Sequence, residues 1–289
     1  MEKRTHVSGI KFLKIAGLVA VGTLLPGSTS NTSQKGTIEP IDRKTETSTL
    51  VLPRTPTPTG TSIFTPSQTE SAAAVEDERK IPLPKIMVLG DSITKFGFAD
   101  YLSEALNEKG YQVEFVGSNT GKNNIKDEGH GGFTTTAIER DLEDGYWSWG
   151  GTETPTDIGE NIPDILILEL GTNDASSGFN PEYVTIPNFR KIIAFFRSKN
   201  PDVKIIIFPD IPFPFEWDKT VVEINKLFLG LTRELNTAES PVVLAPDIRS
   251  DNFNAAKDLI DGTHPTASGY QKMVKSCMAV LEKMISLKK

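Results

Sequence analysis

The chain has 289 residues, 37% of them hydrophobic and 24% charged, which is the composition of a globular protein. Its formal net charge of −7 argues against nucleic acid or an anionic membrane as partner, because phosphate-bearing surfaces are held by basic patches. A single cysteine, Cys277, excludes an intramolecular disulfide and multi-cysteine zinc sites, and only His6, His130 and His264 can supply a base of histidine type.

Residues 1–27 read as a signal peptide or an N-terminal anchor. Lys3, Arg4, Lys11 and Lys14 precede an uncharged, mostly apolar run of 11 residues at 15–25, too short for a comfortable bilayer span. Either reading places the remainder outside the cytoplasm: secreted, or held at the cell surface if the segment is not cleaved. Residues 28–71 hold 24 Ser, Thr or Pro in 44 positions. So few apolar groups cannot offset chain entropy, so 28–80 is expected to be a disordered linker. The folded domain is expected over 81–289.

From residue 81 the pattern changes. The apolar run at 85–90 ends in glycine and predicts a buried parallel strand. Helical spacing follows at 98–109, stopped by Gly110. A second strand is predicted at 112–116, a helix at 135–143, a third strand at 164–170 and a helix at 188–198. The run at 203–208 predicts a fourth strand, 221–235 a helix, 242–245 a short fifth strand and 267–285 a long terminal helix. Strands alternating with helices imply an α/β domain, a mostly parallel five-stranded sheet covered on both faces in a three-layer α/β/α sandwich. Ligands of such sheets sit at the carboxyl ends of the strands, here after residues 89, 116, 170 and 208 and at the start of the last helix.

Residues able to carry chemistry fall at those places. Gly90-Asp91-Ser92-Ile93-Thr94 follows the first strand. Ser92 there is a candidate nucleophile that needs a base, and Asp91 or Ser92 equally suits a helix cap. Glu128-Gly129-His130-Gly131-Gly132 follows the second strand, and its glycines free backbone N–H groups to face an anion. His130 is the alternative base, or a residue near the substrate. Gly171-Thr172-Asn173-Asp174 follows the third strand. The Asn173 amide can donate to an oxyanion, although Asn and Asp also serve turns and caps. In Asp261-Gly262-Thr263-His264-Pro265 a carboxylate three residues before a histidine can accept from Nδ1–H and leave Nε2 free to take a proton. Aromatic residues Tyr146, Trp147, Trp149, Phe179, Phe213, Phe215 and Trp217 lie in neighbouring loops and suit either sugar stacking or rim packing.

In combination these motifs resemble the SGNH, or GDSL-type, hydrolases, whose four named residues match Ser92, Gly132, Asn173 and His264. Gly131 is the alternative for the glycine. The runs at 89–94, 116–118, 128–134, 171–174 and 261–265 are more narrowly similar to carbohydrate esterase family 3, chiefly acetylxylan esterases. The likeness spans residues 85 to about 285. It implies a flavodoxin-like sheet of strand order 2-1-3-4-5. It also implies Ser92 as nucleophile, His264 as base and Asp261 as its orienter, with Ser92, Gly132 and Asn173 as the oxyanion hole. Asp91, His130 and Asp174 are expected behind these or against the substrate. The implied reaction is deacetylation of an acetylated polysaccharide or oligosaccharide through an acyl-enzyme, by a monomer needing no metal or organic cofactor. The rival readings are a general short-chain esterase, lysophospholipase or thioesterase on the same fold, and a catalytically silent carbohydrate-binding module.

Overall fold

The computed structural model describes residues 82–250 and 252–285. The expected export signal and linker lie outside the described residues.

The sheet is built on β1 (Lys85–Gly90), whose residues 86–90 are fully buried. On one side it pairs in parallel with β7 (Ile165–Glu169), which continues to β8 (Lys204–Ile207) and β9 (Val242–Leu244). These strands are continuous apolar runs because both faces are covered. On the other side of β1 the neighbouring lane is shared. Its lower half is β2 (Glu114–Phe115), pairing with Lys85 and Ile86, and its upper half is β4 (Lys126–Gly129), pairing with Leu89 and Gly90. The lane order is the expected 2-1-3-4-5, with β3 (Asn119–Thr120) added antiparallel on β4.

That shared lane corrects one expectation. The second strand is two residues long, not five, and the His130 loop follows β4 rather than β2. Strand β4 reads Lys-Asp-Glu-Gly, with no apolar pattern to announce it. Its buried acids are satisfied locally instead: Asp127 Oδ1 accepts the Gly129 N–H at 2.8 Å, and Glu128 accepts from the Ser118 N–H at 2.8 Å.

The helices form two groups, one for each face of the sheet. On one side α1 (Ala99–Glu108) packs on α7 (Ala267–Leu281), with Tyr101 stacked on Tyr270 at 5.0 Å. On the other, α2 (Thr135–Asp144) packs on α4 (Ile186–Lys199), and α4 on α5 (Asp218–Leu235). Each helix presents an apolar stripe inward, for example Phe189, Ile192, Ile193 and Phe196 of α4. The terminal helix ends at Leu281, and turns carry the chain on to Ile285.

A hairpin outside the main sheet was not expected. Strands β5 (Tyr146–Trp149) and β6 (Thr152–Pro155) pair antiparallel, with Trp149 opposite Thr152. The two residues between them, Gly150 and Gly151, both have positive φ, 59° and 83°. That conformation matches the twist of a two-residue hairpin turn, and glycine adopts it at least cost. Short helices α3 (Thr172–Ser176) and α6 (Ala255–Asp258) complete the domain.

Candidate active site

The site lies along the carboxyl ends of β1, β4, β7 and β9. Ser92 stands two residues beyond β1, on a turn that leads into a helical segment at Thr94–Phe98. A Cβ at Gly90 would lie 2.0 Å from Thr94 Oγ1 and 2.7 Å from the Glu169 carbonyl, so only glycine lets the chain fold back this tightly. Asp91 Oδ1 accepts the Ile93 N–H at 2.9 Å and so closes the turn as a cap.

The histidine comes from a loop closed by local bonds. Ile260 N–H donates to the His264 carbonyl and Thr266 N–H to the Asp258 carbonyl, both at 2.8 Å, and Thr266 then caps α7. Within that loop one oxygen of Asp261 accepts the backbone N–H groups of Thr263 at 2.9 Å and His264 at 2.8 Å. The other oxygen lies 2.7 Å from His264 Nδ1. The backbone and ring N–H groups of His264 hold the Asp261 carboxyl well below the usual carboxylate range, so it is ionised. With Nδ1–H donated to Asp261, His264 Nε2 faces Ser92 Oγ at 3.0 Å, across 172 residues of sequence. Phe96 sets its ring edge-on to His264 at 4.8 Å and is half exposed.

The three donors expected at the oxyanion hole differ in how free they are. The N–H groups of Ser92 and Gly132 have no acceptor among the described residues. Gly131, at the head of the same loop, borders the nucleophile: a Cβ built there lies 3.8 Å from Ser92 Cβ. Asn173 stands at the end of β7, but its amide is already engaged. Nδ2 donates to Asp91 Oδ2 at 3.0 Å and to the Phe133 carbonyl at 2.9 Å. Any third acceptor must share one of those two N–H bonds.

Asp174 is completely buried and accepts from the Thr135 N–H at 2.8 Å and Thr185 Oγ1 at 3.0 Å. It ties the start of α2 to the turn before α4 and touches no solvent. Asp91 is also sealed. His130 does not approach Ser92 as a base: its Nε2 lies 2.8 Å from Glu128 Oε1, and its ring rests on Trp147 at 4.0 Å. Of the aromatic residues expected near the rim, Trp147 and Phe213 are buried, whereas Tyr146 and Phe215 are exposed.

Sequence reasoning missed two acids beneath the site. Glu169, the last residue of β7, and Asp210, just beyond β8, are fully buried, each with one carboxyl oxygen lacking a partner. Burial raises both well above the usual range, and the charges of neighbouring acids, Asp91 among them, add to it. Burial likewise pushes Asp91 up to about 7, against the pull of the Ile93 N–H and of His264. A charged residue ending an otherwise apolar strand, as in Ile-Leu-Ile-Leu-Glu, is the signal that would have found Glu169. Among the described residues no group of three or more His, Cys, Asp or Glu side chains has the geometry to hold a metal ion.

Residues 88–272 match the GDSL-like lipase/acylhydrolase family. The chain belongs to that family. A multidomain esterase of Ruminococcus flavefaciens is 32% identical over an alignment of 221 positions that covers 68% of this chain and 28% of that relative. The chain thus spans little more than a quarter of that protein's length. Two crystal structures are similar at a TM-score of 0.60, each covered over 98% of its length by 70% of this chain: a mutant acetyl esterase with acetate ion, 28% identical, and a carbohydrate esterase family 3 protein from Talaromyces cellulolyticus, 29% identical. The GDSL-like domain is accordingly an ester hydrolase of the SGNH type.

Proposed function

We propose that this domain removes acetyl groups from carbohydrate through an acetyl-enzyme on Ser92. The observation that carries the mechanism is the chain Ser92 Oγ, His264 Nε2, His264 Nδ1 and Asp261 Oδ2, with links of 3.0 and 2.7 Å. Ser92 Oγ attacks the ester carbonyl while its proton passes to His264 Nε2. The Ser92 and Gly132 N–H groups, free of protein acceptors, receive the oxyanion. Asn173 contributes by sharing an N–H with its present acceptors. As the carbon–oxygen bond to the sugar breaks, His264 returns its proton to the departing alkoxide oxygen. Water then attacks the acetyl-enzyme with His264 again as base, and acetate leaves. Asp261 stabilises the imidazolium without taking its proton.

The choice of an acetylated carbohydrate rests on similarity to the acetyl esterase and to the family 3 carbohydrate esterase. Exposed Phe96 and Phe215 beside the histidine loop are consistent with sugar faces at the rim. The basic start and apolar run within residues 1–27 support a secreted or surface-held domain. Acetate release from acetylated xylan, measured beside aryl acetates and phospholipid, tests the reading. Acetylated xylan as the better substrate supports it. A preference for acyl chains of eight or more carbons identifies a lipid esterase or thioesterase instead.

A further inference from the structure

Two clefts are bordered by residues that adjoin Ser92, His264 in one and Gly131 in the other. The first, of about 680 Å³, is lined by Phe96, Asp261 and His264. The second, of about 450 Å³, lies toward Gly131 and is walled by His130, Trp147 and the hairpin residues Thr152 and Thr154. Lys95 lines both, and its side chain reaches Gly131 beside Ser92. The departing sugar oxygen must receive its proton from His264, which places the acetylated ring in the first cleft. An acetyl group has three heavy atoms and needs about 100 Å³, taking roughly 30 Å³ per water in the liquid as a guide. The second cleft is several times larger, and the acetyl group leaves most of it unused.

Its walls show what fits there. His130 is nine-tenths buried, and its Nε2–H donates to Glu128 Oε1 at 2.8 Å. Glu128 is itself fully buried and also accepts from the Ser118 N–H and Oγ–H. That network fixes the tautomer and leaves Nδ1 as a lone-pair acceptor. Nδ1 has no partner among the described residues and is not sealed from solvent, so it opens on the cleft. Thr152 and Thr154 alternate along β6 and therefore share a face, with exposed hydroxyls. The Lys95 ammonium has no acidic partner among the described residues. A histidine acceptor, two hydroxyls and a cation above a buried aromatic floor suit a hydroxyl-rich ring. They do not suit an alkyl chain, which would strip these groups of water without pairing them.

We propose that the second cleft is a subsite for the neighbouring sugar of a carbohydrate chain, with His130 Nδ1 accepting one of its hydroxyls. The domain is then built for acetyl groups within a chain of two or more sugars. This rests on the carbohydrate reading above and adds the polymer to it.

The test compares kcat/KM for mono-acetylated xylose, xylobiose and xylotriose in the wild type, in His130→Phe and in a Thr152→Val/Thr154→Val variant. The second variant alters only exposed strand positions and guards against a folding defect in the first. The expected result is a gain of about tenfold from xylose to xylobiose in the wild type, the value of one well-made hydrogen bond. Both variants should bring that ratio close to one. Equal kcat/KM on all three sugars in the wild type overturns the subsite while leaving the carbohydrate reading intact. So does a gain that both variants retain, or a gain that appears only on lengthening the acyl group. Failure to release acetate from any of the sugars, with aryl acetates still cleaved, overturns the carbohydrate reading itself.

Discussion

Asp261 and His264 lie three residues apart on a surface loop, with the carboxylate half exposed. Glu128 and His130 lie two residues apart at the end of a sheet strand, with the carboxylate fully buried. Both acids fix a histidine tautomer through a short hydrogen bond, at 2.7 and 2.8 Å. They differ in what the other ring nitrogen meets: Ser92 Oγ in the first pair, an open cleft in the second. An acid beside a histidine therefore does not by itself identify a base. The base is the histidine whose remaining nitrogen reaches the Ser92 hydroxyl on the tight turn after β1, and here the sheet topology decides that, since β1 and the segment after β9 end on the same rim.

The sharpest way to break this contrast is to remove each histidine. His264→Ala and Ser92→Ala should each lower kcat on an aryl acetate by on the order of 10⁴ or more. Removing His130 should cost under about tenfold on the same small ester, since it abstracts no proton. Steady-state kinetics on purified variants would decide this, and comparable losses at the two histidines would erase the distinction. Next in size is Asn173→Ala. Loss of an oxyanion donor costs on the order of 10²–10³ in kcat, and the lower end is expected because the amide is already shared with Asp91 and Phe133.

The smallest effect concerns stability. Glu169 has a folded pKa raised by burial, so its contribution is fully present below about pH 4.3, the ordinary glutamate value. That contribution is lost as pH rises toward the folded value. Asp91, pushed up to about 7, acts with the same sign between about pH 4 and 7. Asp261 has the opposite sign, and its contribution is lost only as pH falls below the ordinary carboxylate range. The melting temperature should therefore fall from pH 5 to pH 8, and Glu169→Gln should make that fall shallower. An unchanged slope in the variant would mean that Glu169 is ionised in the folded protein throughout the range, as it is in the unfolded chain.

How much of this was readable in the chain follows from how local each feature is. The apolar strands β1, β7 and β8 announce themselves because burial on both faces leaves a continuous hydrophobic run. The Asp261–His264 pair was legible because three residues and a glycine between them suffice to close it. Strand β4 was not, since its side chains are satisfied by hydrogen bonds to Ser118 and Asn119 rather than by apolar packing. The hairpin carried its own signal in Gly150-Gly151, a two-residue turn between aromatic and threonine-rich runs. The commitment of Asn173 to Asp91 spans 82 residues and the stacking of His130 on Trp147 joins separate elements. Such contacts exist only once the sheet has brought its strand ends together.

The central claim is that the Ser92 hydroxyl is activated by His264, and covalent capture tests it most directly. After treatment with a fluorophosphonate, mass mapping should place a single adduct on Ser92 in the wild-type protein, with labelling nearly abolished in His264→Ala. An adduct on another serine, or undiminished labelling of Ser92 without the imidazole, would contradict the account.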